Sequence, residues 1–228
     1  QIKDDMEVLD IGCGWGGIAL QIAKDTGARV KGITLSENQF ATAQRRAQEE
    51  GLNEKVKFSL QDYRHEKYTY DRVVSVGMFE HVGINNFPEF FSKTYDLLKD
   101  TGIFLLHTIG KRGKPAATSS WIRKYIFPGG YIPSLSEITK VTEKYNINIT
   151  DVEILRMHYA HTLGHWYKRT MENKKEIVQM FDDRFLRMWE FYLLISKYSF
   201  INMGNVVYQI QIAKNIHNLP LTRNYIYN

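Results

Sequence analysis

Through the first half of the chain, short apolar runs alternate with longer stretches in which apolar positions recur every three or four residues. A short apolar run rich in β-branched residues reads as a strand buried on both faces, and the amphipathic stretches between read as helices covering it. Strands are predicted at VLDI near Val8, RVKGIT from Arg29, VKFSL from Val56, RVVSV from Arg72 and IFLLHTI from Ile103. Helices are predicted at GGIALQIAKD, at SENQFATAQRRAQEE opened by Ser36 as a cap, and at NFPEFFSKTYDLLKD closing near Gly102. This alternation is that of a doubly wound α/β sheet.

After Gly110 the rhythm breaks. A segment rich in Gly, Lys, Ser and Pro leads into WIRKYIFPGGYIP and then helical stretches, read as a cap over residues 111–200. Within it Phe185, Met188, Trp189, Tyr192 and Ile195 recur at helical spacing, for which core packing is the stronger reading. INITDVEIL and NVVYQIQIAK alternate like strands, the second expected to return to the sheet edge beside the first. The sheet core then comprises residues 7–110, 147–155 and 205–214 of a single domain spanning 1–228.

Composition adds limits. With 228 residues, 43% of them hydrophobic, the chain can bury one sizeable core. No apolar run approaches the roughly 18 residues of a membrane span. The first residues lack the layout of a secretory signal, so a cytoplasmic protein is expected. The single cysteine, Cys13, cannot form an internal disulfide. A net charge of +5 favours an anionic partner, and nucleic acid or an anionic lipid surface would serve equally well.

Candidate chemistry clusters at the strand ends. DIGCGWGG places Gly12, Gly14, Gly16 and Gly17 between strand and helix, where bare backbone and free N–H groups suit a nucleoside cofactor. Gly12, Gly14 and Gly17 also satisfy dinucleotide spacing, but Thr34 stands near the position where such a site usually offers an acid, which makes NAD the second choice. Asp62 could accept from an adenine amino group and Tyr63 could cover the ring; taken alone, Asp62 is equally a turn or cap residue. Glu80 and His81 follow the fourth strand and His107 closes the fifth, at the edge where open α/β sheets bind ligands. A lone His is more often a core residue, whereas an acid and a His on adjacent strand ends beside a cofactor favour function.

VLDIGCGWGG, GITLSENQ, LQDYR, VSVGMFEHVG and LLHTIG, in this order, resemble the cyclopropane-fatty-acyl-phospholipid synthases and their mycolic acid relatives. The resemblance implies a seven-stranded, Rossmann-like class I S-adenosylmethionine-dependent methyltransferase sheet with a helical cap over its substrate side. It implies transfer of the cofactor's methyl carbon to a cis double bond of a phospholipid acyl chain, with proton loss to a bound bicarbonate, forming a cyclopropane. By that resemblance Asp10, Gly12, Cys13 and Gly14 lie in the turn near the methionine part, Thr34, Leu35 and Gln39 near the ribose, and Asp62 and Tyr63 near adenine. Glu80, His107, Tyr159 and the backbone of Ile109 match the bicarbonate site. Its cysteine lies in relatives upstream of the glycine turn; that front segment is expected to be missing here, and Cys13 does not replace it.

The resemblance also turns Lys111, Arg112, Lys114, Arg123 and Lys124, interleaved with Trp121, Tyr125, Phe127 and Tyr131, toward an anionic membrane. The expected partner is an unsaturated phospholipid at the inner face of the membrane, not a nucleic acid; a homodimer is compatible with this. His158, His161 and His165 share a helical spacing that could hold zinc, but with no Cys nearby no metal is expected. The alternatives are methylation of an amine or a lipid carbon without ring closure, or a cofactor-binding module without catalysis.

Overall fold

A computed structural model describes residues 1–227. Seven strands form one sheet: β1 Glu7–Ile11, β2 Arg29–Thr34, β3 Val56–Leu60, β4 Tyr70–Val76, β5 Leu98–Lys111, β6 Asn148–Leu155 and β7 Asn205–Ala213. Their order is β3-β2-β1-β4-β5-β7-β6. β1 to β5 run parallel, and β7 is antiparallel to both β5 and β6. The winding reverses between β1 and β4, so the carboxyl ends of these strands open the crevice where such sheets take ligands.

The helices are α1 Gly17–Thr26, α2 Glu37–Glu49, α3 Phe87–Asp96, α4 Ser120–Tyr125, α5 Leu135–Lys144, α6 His158–Glu172, α7 Lys174–Met180 and α8 Asp183–Asn202. α1 and α2 lie on one face, where Ala19, Ala23, Ala43 and Ala47 let them approach Val8, Val30 and Val56 closely. Ser36 caps α2 as expected, its side chain accepting from Gln39 N. The other face carries α3, whose buried side is Phe87, Phe90, Phe91 and Thr94. α5 joins that layer through fully buried Ile138 and is started by a reciprocal Ser134–Glu137 capping box. Of the stretch expected as cap, α5 thus belongs with the sheet, and α4, α6, α7 and α8 form the cap.

Three sequence expectations are corrected. The third helix was expected to run to Asp100, but it stops at Asp96, and Leu98 pairs with Tyr70 as the start of β5. The register then shifts before Arg72 pairs with Ile103, and this bulge breaks the alternation that would have marked a strand. NVVYQIQIAK is an interior strand, not an edge: Val206, Val207, Tyr208, Ile210, Ile212 and Ala213 are buried, and half-buried β6 forms the edge. Finally, the fully covered residues of α8 are Tyr192, Leu193 and Phe200, whereas Phe185 and Met188 line an open groove with Trp121, Tyr125 and Phe191. The amino-terminal half of that stripe faces the groove because α8 overhangs the sheet before it docks on Val207.

Candidate active site

At the end of β1 the turn is pinned to β2, since Gly12 N and Cys13 N both donate to Ile33 O at 2.9 and 3.0 Å. Gly12 has φ of 78°, and a Cβ there would meet Met78 Cγ at 2.6 Å, so no other residue fits. Asp10 is 1% exposed and its Oδ2 has no hydrogen-bond partner. Burial pushes its carboxyl up to about 7. A buried oxygen left bare beside a turn of unhindered backbone is a place for a cation or a donor, which the amino-acid end of S-adenosylmethionine supplies. The Cys13 side chain belongs to the apolar cluster under β1 and β2, and burial followed by the Asp10 charge pushes its thiol up to about 12. It is therefore an inert thiol.

Past β2, Thr34 Oγ1 donates to Gln39 Oε1 at 2.7 Å and accepts from Ser36 N at 3.2 Å. Leu35 beside them is 72% exposed, an apolar surface fit for a sugar and a ring. Asp62 caps the turn: it accepts from Arg64 N at 2.9 Å and from the Arg64 guanidinium at 3.0 and 2.7 Å, and these hydrogen bonds hold its carboxyl below the usual range. Tyr63 is set edge-on against Phe90 at 5.5 Å, half-buried. Sequence reasoning missed the clamp under this loop. Glu66 is 1% exposed and accepts from Lys31 Nζ, from Gln61 Nε2 at 3.2 Å and from the backbone of Lys67 and Tyr68 at 3.0 and 3.1 Å.

The second cluster starts from a single turn, Phe79–His81, after β4. Phe79 is fully buried and stacks on Phe87 at 4.3 Å, and Tyr131 N donates to Glu80 O at 2.9 Å, so the Glu80 backbone is held from two sides. Ile109 N donates to Glu80 Oε1 at 2.6 Å. Glu80 Oε2 is shut from solvent without a donor, and burial raises its carboxyl above the usual range against the pull of the Ile109 N–H. The Ile109 N–H, expected to serve an anion directly, is thus spent on Glu80. His107 stands one pleat from Ile109 on the same face of β5; burial lowers its pKa, so the imidazole is neutral at pH 7. Tyr159, in the first turn of α6, packs against Trp166 and Phe200 at 5.8 and 5.3 Å. Burial first, then the charge of Glu80, raises its pKa.

His81 is exposed and meets Phe127 edge-on at 5.9 Å. His158, His161 and His165 are not drawn together: among the described residues no three His, Cys, Asp or Glu side chains are placed to hold a metal ion. In the cap, Tyr131 turns inward and donates to Glu137 at 2.5 Å, while Tyr125 and Phe127 remain exposed. Arg184 and Arg187 line the aromatic groove together with Asp182, and Lys124 Nζ lies over the Tyr125 ring at 5.0 Å; among the described residues none of these three cations enters an ion pair. Among the described residues no helix is long and apolar enough to cross a membrane.

Comparison with known proteins gives a consistent result. A family model described as mycolic acid cyclopropane synthetase matches residues 1–210. The chain is 40% identical over 218 residues to the cyclopropane-fatty-acyl-phospholipid synthase of Escherichia coli (strain K12), covering 96% of this chain and 56% of that protein. It therefore spans little more than half the length of that relative. The fold is similar to the cyclopropane synthase MmaA2 from Mycobacterium tuberculosis, with a TM-score of 0.87 at 28% identity over 93% of this chain and 79% of that one. It is likewise similar to the mycolic acid cyclopropane synthase CmaA1 complexed with SAH and CTAB, with a TM-score of 0.86 at 28% identity and the same 93% and 79% coverage.

Proposed function

The chain belongs to the mycolic acid cyclopropane synthetase family, and on that premise we propose that it moves the methyl carbon of S-adenosylmethionine onto a cis double bond of a phospholipid acyl chain and closes a cyclopropane. The observation that carries this reading is a pair of bare, buried carboxylate oxygens at one sheet edge, Asp10 Oδ2 and Glu80 Oε2. Each asks for a partner that the protein itself does not provide. Bound at the first, the cofactor would supply an electrophilic methyl on a positively charged sulfur. Asp10 with the turn from Gly12 to Gly14 would hold its amino-acid end, Thr34, Leu35 and Gln39 its ribose, and Asp62 and Tyr63 its adenine.

An alkene is a weak nucleophile, so aligning it with the methyl carbon must provide much of the acceleration, about 7–11 kcal/mol in well-oriented cases. Methyl attachment leaves a cation on the lipid chain, and the ring closes when a methyl proton is removed. Tyr159 O–H and the neutral His107 can donate to a small anion, and Glu80 Oε2 can accept from that anion's own O–H. Bicarbonate has this mixture of oxygens and hydroxyl, and when bound it would supply the base. The aromatic packing around Tyr159 would help keep water from the cation.

The lipid would be met at the cap. Trp121, Tyr125, Phe185, Met188 and Phe191 offer apolar surface, and Arg184 and Arg187 beside them, with Lys124 over the Tyr125 ring, favour an anionic bilayer, so the enzyme would work at the cytoplasmic face of the membrane. The test is turnover by the whole protein of cis-unsaturated phosphatidylglycerol vesicles with trideuteriomethyl cofactor. The expected product keeps two of the three deuterons and shows up-field cyclopropane proton resonances. Retention of all three deuterons, or no lipid product, would contradict the reading.

A further inference from the structure

The face of β7 turned to the candidate site carries Val207, Gln209 and Gln211, while Val206, Tyr208, Ile210 and Ile212 of the opposite face are buried in the main core. Gln211 is used structurally, taking the Thr150 and Tyr225 hydroxyls at 3.0 and 2.8 Å. Gln209 is different. It lies directly opposite His107 in the β5–β7 ladder, and its Nε2 is 3.2 Å from His107 Nδ1. Facing side chains in an antiparallel pair sit about 4.5–5.5 Å apart at Cβ, so this contact is fixed by strand register and does not depend on a mobile loop. A polar side chain in an interior strand costs stability unless hydrogen-bonded, and a β-branched residue would pack better there. Among the described residues, His107 is the only side chain to which the Gln209 amide is bonded.

Resting on the proposed role of His107 at the anion site, we propose that Gln209 is a positioning residue: its amide N–H donates to His107 Nδ1, holds the neutral imidazole as the Nε2–H tautomer, and aims that N–H as a donor into the site. An amide nitrogen can only donate, so Nδ1 must be the accepting nitrogen. The other nitrogen then carries the proton, and which nitrogen does so is set by the hydrogen bond the first one makes. Without the amide both tautomers and both ring orientations become accessible, and part of the population presents an acceptor where a donor is needed.

Nitrogen-15 NMR of the ligand-free protein reads this independently of turnover, with the His107 signals identified by their loss in His107→Ala. An unprotonated, hydrogen-bonded Nδ1 and a protonated Nε2 are expected, and in Gln209→Leu or the isosteric Gln209→Met the two nitrogens should move toward averaged values. In vesicle turnover each variant should lose about tenfold in kcat with lipid KM within twofold, comparable to the loss of an outer-shell partner of a functional histidine. In the His107→Ala background the same changes should have no further effect. A protonated Nδ1 in the unaltered protein, or an undiminished kcat in both variants, would overturn the assignment. If no lipid product forms at all, the proposed reaction fails and the nitrogen spectrum alone decides the role of Gln209.

Discussion

The β1–β2 end and the β4–β5 end of the open sheet edge prepare their sites by different means. At β1–β2 the ligand-facing surface is backbone and short side chains within a few residues of one turn, fixed by Gly12 N and Cys13 N on Ile33 O and by a glycine with positive φ. At β4–β5 the proposed site draws on four distant pieces: Glu80 after β4, bonded by Ile109 N of β5, His107 on β5, bonded by Gln209 on β7, and Tyr159 on α6. A cofactor common to many reactions can be held by a local shape, whereas the group that distinguishes one reaction must be built by the whole fold. The two ends should therefore fail separately.

Glu80→Gln is expected to give the largest effect on chemistry. On the proposed mechanism it removes the group that would hold the base, and loss of general-base function costs about 10²–10⁴-fold in rate. Cofactor binding, read by calorimetry, should be unchanged. Asp10→Asn should do the reverse, weakening cofactor binding at neutral pH by roughly tenfold, the low end for a charge-assisted hydrogen bond of ~1.5–3 kcal/mol.

Asp10 also gives the binding a pH dependence. Its folded pKa is raised to about 7, and a cationic ligand prefers the carboxylate. Affinity should fall by about tenfold in total as pH drops below that point, levelling off near the Asp10→Asn value, and the pH dependence should vanish in Asp10→Asn. In the absence of ligand the sign reverses for stability: burial of Asp10 costs more as pH rises from the ordinary aspartate range toward about 7, then levels off.

Glu66→Gln probes the support under the adenine-side loop. Lys31 and two backbone N–H groups hold its carboxyl below the usual range despite burial, so its contribution is present above the ordinary glutamate range and fades as pH falls through the folded value. The substitution should lower stability at pH 7 by about 1–3 kcal/mol, visible as a drop in Tm of about 2–4 °C per kcal/mol. The smallest expected change in fold comes from Arg184→Glu combined with Arg187→Glu. Melting should stay within about 0.5 kcal/mol. Sedimentation with anionic vesicles should weaken by about 1 kcal/mol per lost cation, and uncharged vesicles should show no such loss.

The same contrast explains what could be read from the sequence. Five parallel strands, their helices and the glycine turn were legible because each is a local pattern, as was the Ser36 cap. Glu80 and His107 were legible as candidates from their place on adjacent strand ends, whereas Tyr159 was legible only through resemblance to relatives, since nothing local says that a residue on α6 meets the ends of β4 and β5. Gln209 left a faint signal, a polar residue alternating within the apolar NVVYQIQIAK, but that alternation read as an edge strand until β7 was seen between β5 and β6. Glu66 left none, because an acid in a polar loop looks like solvent-facing sequence until Lys31 is found against it. The bulge before Ile103 and the overhang of α8 likewise depend on distant partners, the first on β4 and the second on α4 and α6.

Whether the two ends face one another across a shared ligand is most directly tested by a crystal structure with bound S-adenosylhomocysteine. The ammonium should approach Asp10 Oδ2 beside Gly12, and the sulfur should point toward the space between Glu80 Oε2, His107 and Tyr159. A ligand seated away from the ends of β1 and β4, or a sulfur turned from Glu80 with that carboxylate still closed against Ile109, would contradict the account.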